Sequence, residues 1–359
     1  MTGVILYGPF ELAPYSKTYM ELLDEAGEKY DLIGWRREEE PQYTGENVFM
    51  YEGESGKRFS SPIEKIKPAL GFRKFILRLI RQKKYDRLIV LTTQTALILA
   101  DVLLTKYKNK YIFDYRDKSY EYIKPYGALV NALVLHSAET VISSEWFKQS
   151  LTPKKDYILA HNMQTARLKF RKRSLVRKAE NEKIILGYIG ALRSFDYHKA
   201  LIDGFKNDSR FEFHTYGCGD DSEKLSAYAK PFSNIFVHGA YCEADKYRIV
   251  NTFDMMCYNY PSSFVNDGAI ANKYYDALIM KKPMFVNEKT MLGKFIVSKK
   301  LGVGVTETDS VADTVYNWYK TFDTEEFVRT CDYYLDKYAA ENELFRKKIK
   351  EVLEKAGRT

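Results

Sequence analysis

The feature that most constrains this chain is a rhythm. Short runs of β-branched and aromatic residues are each followed by an amphipathic helical stretch, and the pattern breaks off once and restarts. In the first half the strand-like runs fall at residues 3–7, 30–34, 87–92, 110–114 and 139–143, with helical stretches such as Ser16–Gly27 and Ile63–Lys84 between them. The second set opens with Lys183-Ile-Ile-Leu-Gly-Tyr-Ile189 and continues through Phe211–Tyr216, Ile235–His238, Met255–Tyr258 and Pro283–Val286. Runs that stay apolar belong to strands buried on both faces, as in parallel sheets covered by helices. At 359 residues the chain also exceeds what one hydrophobic core usually supports. The expected fold class is therefore α/β, with two Rossmann-like domains facing each other across a cleft. The expected divisions are an N-terminal domain over residues 1–163, a basic interdomain linker over 164–182, a C-terminal domain over 183–324, and a helical segment over 325–359 that packs back. The linker reading rests on Arg167, Lys169, Arg171, Lys172, Arg173, Arg177 and Lys178, a charge-dense run that fits neither half.

Several function classes fall away on composition. Cys218, Cys242, Cys257 and Cys331 are scattered with no CxxC pair, and the five histidines form no HExxH-like set. No metal site and no disulfide framework is expected, which suits a reducing, cytoplasmic setting. Nowhere do the roughly 18 consecutive apolar residues of a membrane span occur. The net charge of +8 implies an acidic partner: nucleic acid, an anionic membrane face or a diphosphate. No nucleic-acid-binding module is recognisable, so nucleic acid is not the expected partner. The 29 tyrosines and 21 phenylalanines supply rings able to stack on sugars or bases, although core packing accounts for most of them.

Four motifs follow one another in the second half: Gly187-Tyr-Ile-Gly190-Ala-Leu-Arg193, Tyr216-Gly217-Cys-Gly219, His238-Gly239-Ala-Tyr241, and Asn272-Lys273-Tyr-Tyr-Asp276-Ala-Leu followed by Lys281-Lys282-Pro283. Taken by itself, a glycine between a strand and a helix lets backbone N–H groups approach a pyrophosphate, with Arg193 opposing its charge. On the residues alone, a plain turn beside a solvated arginine is the better reading. Lys273 and Asp276 stand one helical turn apart and face the same way. They form either a lysine-plus-carboxylate pair for a phosphate and a ribose, or a surface ion pair. The adjacent Asp220-Asp221 reads as a helix cap.

In this order the motifs resemble the nucleotide-sugar half of GT-B glycosyltransferases, particularly bacterial enzymes of capsular or exopolysaccharide assembly. The resemblance implies a metal-independent, hexosyltransferase-type enzyme with no cofactor. The sugar would come from a nucleoside-diphosphate donor, UDP being the commonest, and pass to a saccharide acceptor, lipid-diphosphate-linked in the capsule type. It assigns Gly190, Arg193, Gly217, Gly219, Asn272, Lys273 and Asp276 to the donor, with Asp276 on the ribose. The family's Glu-x7-Glu pattern is broken, because Gly268 occupies the first acidic position. Asn266 and Asp267 beside it are the candidates for the donor sugar. The break keeps a second reading open, a catalytically idle scaffold of polysaccharide assembly.

In the first half, the resemblance turns the loop Gly8–Tyr15 toward the acceptor, with Glu11 and Tyr15 as contacts. It makes Asp117, in Asp114-Tyr-Arg116-Asp117 after a strand, the candidate catalytic base; an Arg116–Asp117 surface turn is the alternative. His161-Asn162 falls at a hinge-like position with a structural role. The helix Phe72–Lys84 carries Phe72, Phe75, Ile76, Leu79 and Ile80 on one side and basic residues on the other. It either docks on an anionic inner leaflet, making the protein peripheral there, or covers its own core.

Overall fold

The computed structural model of the chain describes residues 1–36, 43–53, 66–179, 181–192, 194–264, 266–306 and 310–356. They form two compact units: Met1–His161 with Glu341–Thr359, and Asn162–Ala340.

The first unit is built on a seven-stranded sheet. Its strands are β1 (Thr2–Leu6), β2 (Tyr30–Trp35), β3 (Val48–Tyr51), β4 (Arg87–Leu91), β5 (Tyr111–Tyr115), β6 (Glu139–Ile142) and β7 (Ile158–Leu159). They lie in the order β3-β2-β1-β4-β5-β6-β7 with every neighbouring pair parallel. All residues of β1, β4 and β5 are buried, as apolar-throughout runs require. Alternation decides which helices each strand residue meets. Ile5, Val90 and Phe113 face α2 (Ile66–Lys83), α3 (Thr93–Ile98), α4 (Ala100–Leu104) and α5 (Lys124–Leu135). Val4, Ile89, Leu91 and Ile112 face α1 (Ser16–Glu25) and three residues of the last helix, Phe345, Ile349 and Leu353. The strand order reverses between β1 and β4, and the carboxyl ends at such a switch point are where open α/β sheets generally bind ligands.

The second unit repeats the design with six parallel strands: β8 (Ile184–Ile189), β9 (Phe211–Tyr216), β10 (Ile235–Val237), β11 (Met255–Tyr258), β12 (Met284–Asn287) and β13 (Gly302–Val305). Their order is β10-β9-β8-β11-β12-β13, reversing between β8 and β11. The helices are α6 (Phe195–Phe205), α7 (Ser222–Ala229), α8 (Lys246–Thr252), α9 (Asn272–Met280), α10 (Met291–Ser298), α11 (Val311–Thr321) and α12 (Thr324–Ala356). The last is a single helix of 33 residues that begins in the second unit and ends in the first. The two-sheet α/β class expected from the sequence is therefore observed, with three further strands. β3 has no fully buried residue, β7 has two residues, and β13 reads Gly-Val-Gly-Val, so none presents a long apolar run.

Two regions left open by the sequence are placed by the structure, and α2 follows the second of its two readings, covering its own core. The described residues of the basic segment 164–182 group with the second unit and bond to it. Arg171 pairs with Asp332 at 2.8 Å and with Asp336, Lys172 N–H donates to the Ile279 carbonyl at 2.9 Å, and Arg177 donates to the carbonyls of Lys320 and Phe322. In α2 the apolar stripe Phe72, Ile76, Leu79 and Ile80 is buried against the sheet, leaving Lys74, Arg78 and Arg81 exposed. Among the described residues no helix is long and apolar enough to cross a membrane.

These placements predict that Phe72→Ala lowers stability by about 3–5 kcal/mol through the cavity it leaves. Lys74→Ala, on the outer side of the same helix, is expected to change it by less than about 0.5 kcal/mol. Urea unfolding of both variants checks the pair.

Candidate functional site

In the second unit, β8, β9 and β11 end around one spot. The backbone leaving β8 runs beside the backbone leaving β9. Gly190 N–H donates to Tyr216 O at 2.9 Å and Leu192 N–H to Cys218 O at 3.0 Å. The approach is so close that a Cβ on Gly217 would stand 1.8 Å from the Gly190 oxygen, and one on Gly219 1.9 Å from the Leu192 oxygen. Glycine is required at both positions by backbone contact.

Helix α9 starts after Ala271, whose N–H donates to the Tyr258 hydroxyl at 2.7 Å, and every residue from Lys273 to Met280 is buried. Lys273 is 7% exposed, and its Nζ has no hydrogen-bond partner among the described residues. It sits over the Tyr188 ring at 3.7 Å from the centroid, with Tyr260 at 4.6 Å and Tyr258 at 5.8 Å. Ring faces offset part of the cost of burying this charge but give its N–H groups no acceptor. A Cβ on Gly190 would lie 3.9 Å from that Nζ, so the ammonium stands beside the glycine turn. One turn on, Asp276 is 5% exposed; Oδ1 accepts from Tyr247 Oη at 2.8 Å, and Oδ2 pairs with Lys246 Nζ at 2.7 Å.

His198, in the first turns of α6, meets Tyr188 edge to face at 4.7 Å, and its buried Nδ1 has no hydrogen-bond partner among the described residues. Burial, and secondly the charge of Lys273, push its pKa down to about 4, so the ring is neutral at physiological pH. The start of α6 is capped by Ser194 Oγ, which accepts from Tyr197 N–H, and by Asp221, whose carboxylate accepts from Phe195 N–H at 3.0 Å. Asp221 thus caps α6 and makes no side-chain cap to its own helix α7.

The remaining donor candidates are less tightly drawn in. Arg193 lies outside the described residues, and Asn272 is exposed. Asn266 donates its amide to Pro261 O at 2.9 Å, and the Asp267 carboxylate accepts from Ser262 Oγ at 3.3 Å, both within their own loop. Lys281 takes a left-handed φ of 53°. Its buried ammonium reaches Asp332 at 2.6 Å, so this part of the motif is structural.

In the first unit the switch point carries a charge cluster. Asp114 is fully buried; its Oδ1 is 2.5 Å from Arg116 Nε, and its Oδ2 accepts from Tyr19 Oη at 2.7 Å and Arg116 Nη2 at 2.8 Å. Arg116 also donates to Ala160 O at 2.9 Å and stands 4.2 Å from the centroid of the half-buried Tyr15 ring. Burial, then the Asp114 charge, raise the Tyr15 phenol well above its usual range. Asp117 is exposed, two residues beyond the end of β5, and Glu11 is exposed with one carboxylate oxygen accepting from Tyr43 N–H at 3.1 Å. Beside them Thr92, at the end of β4, holds a φ of 76°, unusual for a β-branched residue. His161 is structural: Nε2 lies 2.7 Å from Glu341, and its N–H donates to Asn342 at 2.8 Å.

The sequence reading missed Tyr188, His198, Lys246, Tyr247 and the Asp114–Arg116 pair as site-forming groups. Tyr188, two residues before Gly190, and Asp114 with Arg116 left a trace inside motifs already noted; His198, Lys246 and Tyr247 are brought in by tertiary packing. Among the described residues no three His, Cys, Asp or Glu side chains are grouped to hold a metal.

No known family profile and no curated protein sequence matches the chain. Solved structures do. Sucrose-phosphate synthase from Thermosynechococcus elongatus superposes with a TM-score of 0.68 at 11% identity, covering 99% of this chain and 98% of its own. A glycosyltransferase from Rickettsia africae gives 0.61 at 14%, covering 99% and 98%. HepE of Anabaena, solved in complex with UDP, gives 0.63 at 10%, covering 99% and 100%. At these identities the likeness establishes the fold, which is that of the GT-B glycosyltransferases.

The depressed His198 predicts a pH dependence of stability. Its unfolded value is near 6.5 and its folded value about 4, so between these the unfolded chain binds more protons. The stabilisation is complete above roughly pH 6.5 and is lost as pH falls toward about 4, by up to about 3 kcal/mol. Denaturant unfolding from pH 7 to pH 4 should show this slope in the wild type and a flatter one in His198→Phe.

Proposed function

We propose that this chain is a glycosyltransferase whose second unit binds a nucleoside-diphosphate sugar, in the first instance a UDP-sugar, and whose first unit presents a saccharide acceptor. The observation that carries the reading is the buried, unpartnered ammonium of Lys273 beside the Gly190 turn, with the Asp276 carboxylate one helical turn away. A pyrophosphate against Gly190 would give Lys273 the acceptors it lacks, and the ribose hydroxyls would meet Asp276. The choice of UDP draws on the neighbours solved with UDP or a UDP-sugar.

In this mechanism the bond from the anomeric carbon to the diphosphate breaks while the acceptor oxygen bonds to that carbon. Negative charge grows on the departing diphosphate, and Lys273 stabilises it in a place already stripped of water. Because a full positive charge is fixed there by the protein, transfer is proposed to need no metal. Gly217 and Gly219 keep the two turns close enough to shape that place. Asn266 and Asp267 belong to the loop proposed to face the donor sugar. Asp117, exposed at the carboxyl end of β5, takes up or orients the acceptor's hydroxyl proton, with Glu11 and Tyr15 nearby in the same unit. The acceptor is proposed to be lipid-linked, as in capsule or exopolysaccharide assembly, and met at the inner face of a membrane. With the α2 stripe in the core, that contact rests on the basic side of the helix and is salt-sensitive.

A thermal-shift and calorimetric series with UDP, GDP, ADP, CMP and TDP, with and without EDTA, tests the reading. UDP should bind and stabilise the wild type equally with EDTA present, and Lys273→Ala should lose about tenfold or more in affinity, as for a charge-assisted hydrogen bond. If no nucleotide binds, the transferase reading fails and a non-catalytic scaffold takes its place.

A further inference from the structure

The Asp276 carboxylate is held before any ligand arrives. Both of its supports come from the first turn of α8: Tyr247 Oη donates to Oδ1 at 2.8 Å, and Lys246 Nζ lies 2.7 Å from Oδ2. Neither support is loose. Tyr247 is 5% exposed, and the Phe170 ring stacks on it with centroids 4.5 Å apart and planes 15° from parallel. Arg167 stands 5.6 Å from the Tyr247 ring and donates to Glu243 at 3.0 Å, and Glu243 lies 3.5 Å from Lys246. Charge therefore alternates along a chain: Arg167 positive, Glu243 negative, Lys246 positive, Asp276 negative. Burial would push Lys246 down, yet the Asp276 charge, with help from Glu243, lifts it above the ordinary lysine value. Burial first, and then the same carboxylate, raises the Tyr247 phenol, which keeps it a donor. Arg167 and Phe170 belong to the segment that the sequence alone marked as a linker.

An ionised carboxylate has about four acceptor sites, two on each oxygen. Tyr247 hydrogen-bonds Oδ1 and Lys246 is ion-paired with Oδ2, both from the α8 side, and Oδ2 itself has no hydrogen bond among the described residues. These two contacts fix the carboxylate plane and with it the direction of the acceptor sites left over. Two parallel acceptors of this kind match two neighbouring hydroxyl donors, as on a ribose.

We propose that Lys246 and Tyr247 are positioning residues that lock the Asp276 carboxylate for a vicinal diol, and that Arg167, Glu243 and Phe170 hold the lock in place. The proposal rests on the reading that the second unit takes a nucleoside diphosphate. It goes further in naming what enforces the choice of ribose over deoxyribose. The lock supplies orientation, so its loss should weaken recognition of the hydroxyls while leaving contacts to the diphosphate intact.

The experiment is calorimetric titration of the full chain with UDP, 2′-deoxy-UDP and 3′-deoxy-UDP. Wild type is expected to prefer UDP over either deoxy form by about tenfold or more, the worth of one hydrogen bond to a charged group. In Tyr247→Phe and Lys246→Met, UDP should weaken by about fivefold to tenfold while the deoxy forms hardly change, so the ratio collapses toward one. Lys246→Arg should restore most of the preference. Phe170→Ala, at a ring 38% exposed, should lower the ratio by about twofold to threefold. Equal weakening of all three ligands would show that Lys246 or Tyr247 touches the diphosphate or merely holds the fold, and would overturn the proposal. An unchanged ratio in both variants would do the same. Failure of the wild type to bind UDP is a separate result, which removes the donor reading itself.

Discussion

An ammonium group buried without a hydrogen-bond acceptor is costly, and the second unit is organised around one. Lys273 could rest in water if α9 were turned or shifted, but eight consecutive residues of that helix are buried, which fixes its direction. The rings of Tyr188, Tyr258 and Tyr260 hold the charge without satisfying it. The same charge helps keep His198 neutral, and the neighbouring glycine turns leave the near side open to small backbone groups. Strand order, turn composition and helix burial all converge on this ammonium. That convergence gives a fold shared at 10–14% identity a chemical meaning in this chain.

Much of the architecture was legible because parallel sheets covered on both faces leave uninterrupted apolar runs. β1, β4, β5 and β8 announce themselves this way, and their spacing implies crossovers. β13 did not, since glycine at alternate positions removes the apolar signal while the strand is held by β12 on one side. The site was legible where its geometry is local. Lys273 and Asp276 share a helical face by spacing alone, and Gly217 and Gly219 stand in a turn after a strand. Lys246, Tyr247 and His198 were not legible, because sheet order brings them to α9 from distant stretches of chain. The Asp114-Tyr-Arg116-Asp117 stretch shows a finer limit. Sequence gave two carboxylates near one arginine, and only packing shows that Asp114 takes the arginine while Asp117 remains exposed.

The positive charge of the chain divides into different uses. Arg171 and Arg177, which the sequence marked as parts of a basic linker, tie the segment entering the second unit to α12 and to the end of α11. Lys281 does a similar service from a left-handed backbone position that glycine would hold without strain, and its ion pair with Asp332 offsets that strain. What remains exposed includes Lys74, Arg78 and Arg81 on the outer side of α2. A net charge read from composition therefore says little until these internal pairings are removed from it.

The path of α12 has a consequence for how the molecule is made. The sheet of the first unit is covered on one face partly by Phe345, Ile349 and Leu353, and Arg87 donates to the carbonyls of Val352 and Leu353 at the far end of the same helix. Those residues leave the ribosome only after the whole second unit has been synthesised. The unit that is translated first is thus completed last, and until then one face of its sheet waits with apolar surface uncovered. Vectorial synthesis, which usually lets an N-terminal domain finish folding early, here obliges it to wait for its own final piece.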